Sequence, residues 1–111
     1  MSLISTHVLD TMRGEPAAGL LVRLEQVIGG EPAVLAAGTT DDDGRVRSLG
    51  PNRVCPGTYR LVFNTAGYFT RTGQPCFFPE VSLAFLVADP EQHLHVAVLL
   101  SPFAYSTYRG S

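Results

Sequence analysis

Apolar and polar residues alternate with a period of two along most of this chain. Leu20, Val22 and Leu24 interleave with Leu21, Arg23 and Glu25, and Tyr59, Leu61 and Phe63 with Arg60, Val62 and Asn64. Val81, Leu83, Phe85 and Val87 interleave with Ser82, Ala84, Leu86 and Ala88. Leu94, Val96, Val98 and Leu100 interleave with His93, His95, Ala97 and Leu99. This is the period of β-strands, whose successive side chains point to opposite faces. Turn signals separate the runs: Arg13-Gly14-Glu15-Pro16, Gly29-Gly30-Glu31-Pro32, Asp41 to Gly44, Pro51-Asn52, Pro56-Gly57 and Asp89-Pro90. Strands are predicted near 4–9, 18–28, 33–40, 45–49, 57–65, 80–88, 93–101 and 104–110, with one short helix over 66–72. Many short strands with frequent turns predict an all-β protein, a β-sandwich.

Composition narrows this picture. The 111 residues make one domain, 1–111, with no repeat, linker or low-complexity segment. Hydrophobic residues make up 45% and charged residues 16%. That charge content is low for a small monomer. Burial of surface in an oligomer explains it, and so does an ordinary sandwich with an apolar core; composition does not separate the two. The net charge is −2, and all eight cations are arginines. They form no cluster that tracks a phosphate backbone, so no nucleic-acid partner is expected. No apolar run approaches the ~20 residues of a membrane span, and residues 1–24 lack the pattern of a signal peptide. The cytoplasm is the expected location. There Cys55 and Cys76, which form no CxxC pair, stay reduced.

Candidate chemistry follows from the alternation. If Leu94, Val96, Val98 and Leu100 face the core, then His93 and His95 face outward with Leu99, on a surface that is not simply solvated. In the first strand, inward Ile4 and Val8 send His7 outward. These histidines are either ordinary exposed side chains or part of a pocket between subunits. Arg45, after Asp41-Asp42-Asp43-Gly44, is either a solvated partner of one of those aspartates or a planar fork for an oxygen-rich ligand. Tyr108 offers a ring to stack on a flat heterocycle and a hydroxyl to bond it. Ser111 offers a hydroxyl and an α-carboxylate ionised at neutral pH. The three aspartates lack calcium-loop spacing and read as a solvated turn. His7, His93 and His95 are zinc-capable, but no sequence-local set of four ligands accompanies them, so neither a catalytic metal nor another cofactor is expected.

The opening Leu-Ile-Ser-Thr-His-Val-Leu-Asp-Thr from Leu3, Gly44-Arg45, Phe77-Phe78-Pro79-Glu80-Val81, the His93-Leu94-His95-Val96 stretch and the Tyr108-Arg109-Gly110-Ser111 ending carry a resemblance. Together they resemble the transthyretin-related family, in particular its enzyme branch, the 5-hydroxyisourate hydrolases of urate breakdown. The likeness runs from end to end. It implies a transthyretin-like sandwich of two antiparallel sheets, assembled as a homotetramer with sites in a channel between facing dimers. It implies hydrolysis of 5-hydroxyisourate to 2-oxo-4-hydroxy-4-carboxy-5-ureidoimidazoline. It assigns His7, Arg45, His95 and Ser111 to catalysis, and His7, Arg45 and Tyr108 to the substrate. The rival class is a transthyretin-like carrier of a small aromatic hormone, which wants an apolar channel rather than this polar set. A secreted structural sandwich is a third class, disfavoured by the absence of a signal pattern. One departure from the family stands out: Ala97-Val98 occupies the place where proline and leucine are usual, and alanine restores a backbone N–H.

Overall fold

The structure is a computed structural model and describes residues 3–110. Among the described residues, nine strands and one helix follow in the order β1 (Ile4–Asp10), β2 (Glu15–Pro16), β3 (Leu21–Ile28), β4 (Glu31–Thr39), β5 (Arg45–Val46), β6 (Gly57–Phe63), α1 (Thr65–Arg71), β7 (Val81–Val87), β8 (Leu94–Leu100) and β9 (Tyr105–Gly110). One sheet runs β2-β1-β8-β9, with β5 also on β1; the other runs β4-β3-β6-β7. The transthyretin-like sandwich expected from the sequence is present, with its short helix between β6 and β7.

The core lies where the alternation put it. Ile4 and Val8 from β1 and Leu94, Val98 and Leu100 from β8 are buried against Val22 and Leu24 from β3, Leu61 and Phe63 from β6, and Val81 and Val87 from β7. The outward side of β3 carries a buried carboxylate, Glu25, held by Arg23 and Arg60 at 2.7 Å each. Among the described residues no helix is long and apolar enough to cross a membrane.

Four details differ from the sequence expectation. All pairings are antiparallel except one: β1 and β8 run parallel, from Ile4↔Leu94 to Asp10↔Leu100. Local alternation is blind to strand direction, so this was not readable. The strand expected over 45–49 shrinks to Arg45–Val46. Beyond it the chain leaves the ladder, while Leu49 stays buried and its N–H donates to Ile4 O at 2.9 Å. The strand expected from 18 begins at Leu21, because Gly19 turns with φ of 75° and Leu20 N–H goes instead to Thr40 Oγ1 at 2.9 Å. The two-residue β2 was not anticipated; such a bridge is too short to show a period.

A buried polar knot ties the end of β1 to α1. The Asp10 carboxylate, fully buried, accepts from the Tyr68 hydroxyl at 2.6 Å, from Gln74 Nε2 at 3.0 Å, and from the N–H groups of Met12 and Arg13 at 3.1 and 3.0 Å. Burial alone would raise its pKa, but these four donors outweigh it and hold the carboxyl below the usual range. Burial and the neighbouring carboxylate push Tyr68 up to about 12. The sign follows. The Asp10 contribution is fully present above the unfolded carboxylate value near 3.9 and is lost as pH falls through the lower folded value. Asp10→Ala should cost about 3 kcal/mol in urea unfolding at neutral pH, and the gap to the parent should narrow in acid. A variant as stable as the parent at neutral pH would show the knot to be energetically idle.

Candidate functional site

The outer face of the β1–β8 sheet gathers the polar residues. Register places Arg45 opposite His7, His7 opposite Ala97, and Ala97 opposite Tyr108. Directly paired residues share a face, so Arg45, His7, Ala97 and Tyr108 form one row across four strands. The next row is Ser5, His95 and Gly110. His7 and His95 sit on neighbouring strands with ring centroids 6.4 Å apart.

The aspartate turn is more than a solvated loop. Asp41 Oδ1 accepts from the N–H groups of Asp43 and Arg45, at 2.9 and 3.0 Å. The Arg45 N–H is the leading cause of a lowered Asp41 pKa. Gly44 takes φ of 75° and lies so close to β1 that a Cβ there would strike Val8 O. Val8 N–H donates to Gly44 O at 2.8 Å. Only glycine permits that approach, and it is what sets Arg45 beside His7. The turn also holds the imidazole: His7 Nε2 lies 2.9 Å from Asp43 O. A carbonyl only accepts, so the proton of neutral His7 is on Nε2 and its Nδ1 carries the lone pair.

Of the two readings left open for Arg45, the ion pair with an aspartate is taken by Arg47 instead. Arg47 takes both carboxylates, Asp41 at 3.6 Å and Asp43 at 3.2 Å. The Arg45 guanidinium makes no ion pair with any described residue. An open depression of about 590 Å³ is lined by His7, Leu9, Pro16, Asp43, Arg45 and Arg47. A second cavity of about 330 Å³ lies between the free edges of the two sheets, lined mainly by apolar residues such as Leu83 and Phe85 but reaching His95 and Tyr108. The candidate residues are divided between the two: His7 and Arg45 line the first, His95 and Tyr108 the second.

His95 is partly buried. Its pKa is lowered, first by burial and then by the positive charge of Arg45 and the neighbouring His7 and His93. It is therefore neutral at pH 7, as a proton acceptor must be. His95 Nδ1 is 2.7 Å from the Ser5 hydroxyl, which leaves Nε2 as the ring nitrogen without a described partner. Tyr108 is 57% exposed on β9, available to a ligand or a neighbouring subunit. Ser111 lies outside the described residues. The sequence reading missed Ser5, Gly110 and the Asp43 carbonyl. A small polar residue in an apolar-alternating strand was the one signal for Ser5. Among the described residues no group of three or more His, Cys, Asp or Glu is placed to hold a metal ion.

Two packed sheets, one with a parallel β1–β8 pair at its centre and with imidazoles and a guanidinium on its outer face, define a transthyretin-like sandwich with a polar site. The chain belongs to the HIUase/Transthyretin family, whose model matches residues 4–110. It is 42% identical over 111 residues to a 5-hydroxyisourate hydrolase of Salmonella dublin, covering 99% of this chain and 82% of that protein. The solved 5-hydroxyisourate hydrolase of Klebsiella pneumoniae is 35% identical with a TM-score of 0.87 over 100% of both chains. Sea bream transthyretin in complex with thyroxine is 31% identical with a TM-score of 0.89, over 97% of this chain and 94% of that one.

The electrostatics are checked by titration. His95 should lose its proton below the ordinary histidine value of about 6.5 when followed by NMR, and Arg45→Gln should move it upward. A His95 that titrates at or above the ordinary value would contradict the assigned environment.

Proposed function

We propose that this chain hydrolyses 5-hydroxyisourate to 2-oxo-4-hydroxy-4-carboxy-5-ureidoimidazoline, a step in urate breakdown. The backbone does not choose between hydrolase and carrier, since relatives of both kinds superpose equally well. The observation that carries the choice is the polar outer face. Two neighbouring imidazoles and an arginine without an ion pair are poorly suited to an apolar ligand, and well suited to a planar, oxygen-rich one.

Water adds to the carbonyl of a ring amide. Neutral His95 takes the proton from that water through Nε2, as a general base with a pKa below pH 7. His7, fixed through Nε2 to Asp43 O, turns Nδ1 toward the same water as an acceptor. Arg45 donates two parallel hydrogen bonds and stabilises the negative charge that grows on the attacked oxygen. Tyr108, level with His7 in the sheet, stacks on the substrate ring. Ser111, which the resemblance assigns to catalysis, would orient a histidine or close the pocket through its hydroxyl or carboxylate. No covalent intermediate is needed.

Assembly belongs to the same proposal. β7 and β9 are free edges, and they expose Leu86 at 74% and Tyr108 at 57%. Bare edges with apolar side chains favour pairing with another copy, which supports a homotetramer with the polar faces opposed. The cytoplasm is the proposed location. Cys55 and Cys76 are both free and exposed, which suits a reducing compartment.

The decay of freshly generated 5-hydroxyisourate, followed by ultraviolet absorbance, tests the activity. His7→Ala and His95→Ala should fold normally and lose on the order of 10²–10⁴-fold in rate. Arg45→Lys keeps the charge but loses the fork, so it should fall short of the parent. Near-parental rates in both histidine variants would remove the assigned bases. Sedimentation at micromolar concentration should give four times the chain mass; an active monomer would sink the shared-channel arrangement.

A further inference from the structure

The Ser5 hydroxyl sits between two histidines. Its Oγ is 2.7 Å from His95 Nδ1 and 3.2 Å from His93 Nε2. Ser5 is 5% exposed, so water competes poorly for these bonds. On the other flank of His95 stands Gly110, where an added Cβ would lie 2.5 Å from His95 Cδ2. The imidazole is therefore held edge to edge between a hydroxyl on β1 and bare backbone on β9. Neither Ser5 nor His93 has a part in the chemistry described so far.

A hydroxyl carries one proton, so its two bonds are not independent. If Ser5 donates to His93 Nε2, its oxygen must accept the proton on His95 Nδ1, and the lone pair of His95 is on Nε2. If Ser5 donates to His95 Nδ1 instead, Nε2 carries the proton and His95 is no base. The direction of one hydroxyl decides whether His95 can act. This choice rests on the hydrolase reading above, because only the first arrangement leaves Nε2 able to take a proton from water.

We infer that Ser5 and His93 are positioning residues that form a proton relay behind His95: Ser5 accepts from His95 Nδ1–H and donates to His93 Nε2. The steps balance. When His95 Nε2 takes a proton from the attacking water, that O–H bond breaks and His95 becomes an imidazolium. Its Nδ1 proton passes to Ser5 Oγ as the Ser5 proton passes to His93 Nε2. Ser5 is again a hydroxyl, His93 holds the cation, and neutral His95 carries its proton on Nε2. That proton goes to the leaving nitrogen as the ring C–N bond breaks, and the relay runs back from His93 to His95 Nδ1. The gain is electrostatic. Burial, Arg45 and His7 disfavour a cation on His95. His93 is exposed, where water solvates the charge.

Long-range ¹H–¹⁵N NMR of the free protein reads the tautomer directly, without substrate. The parent should show His95 protonated on Nδ1. Ser5→Ala should shift His95 toward the Nε2–H form and lower kcat about 10–100-fold with little change in KM, while melting like the parent. Ser5→Thr, which restores the hydroxyl, should recover both. His93→Gln supplies an amide oxygen to accept from Ser5, so it should preserve the tautomer but still lower kcat, since it cannot hold the proton. An Nε2–H tautomer in the parent, or an unchanged tautomer and kcat in Ser5→Ala, would overturn the relay. If the parent fails to turn over 5-hydroxyisourate, the hydrolase reading falls while the NMR result still decides the direction of the hydrogen bonds.

Discussion

The parallel pairing of β1 with β8 is the contact on which the rest of the site depends. It brings residues some 90 positions apart into direct register, Ser5 against His95 and His7 against Ala97. β5 reaches the sheet only through β1, and β9 only through β8, so Arg45 and Tyr108 inherit their places from this one pair. A slip of β1 by one residue against β8 would send Ile4 and Val8 outward and His7 inward. The apolar core therefore fixes the register, and the register fixes the chemistry.

The second constraint is charge. Arg45, His7 and His95 stand close together, and the nearby Asp41 and Asp43 carboxylates make their ion pairs with Arg47. Burial, and after it the charge of Arg45, lowers the basicity of His95. Arg45 is also a fixed positive group facing an open depression, ready for oxygen atoms that gain negative charge. Transthyretin and hydrolase relatives share this sandwich, so the function lies in the side chains of one outer face and not in the fold.

Ala97 has a place in this arrangement. It is 6% exposed and sits between His7 and Tyr108, its carbonyl accepting from Thr107 Oγ1 at 2.8 Å. Its methyl group is the floor of the row. The alanine that departs from the usual proline of the family leaves both neighbouring strands in register, and the polar residues on either side of it keep their positions.

The sequence by itself determined the strands, the core and the outward direction of His7 and His95, because a period of two assigns each side chain to a face whatever its partner strand. It also marked the turn at Gly44, where a tight bend requires glycine. It did not determine which faces meet. Arg45 and Arg47 are equivalent by alternation, and only the folded turn shows that one takes the aspartates and the other is left for a ligand. Ser5 reads as a minor polar residue in an apolar strand, and Gly110 as a chain-end glycine, until β8 lies between them and both touch the same imidazole. Strand direction, cross-strand register and hydrogen-bond partners are long-range quantities. They are set by how the whole core closes, and no local window of residues contains them.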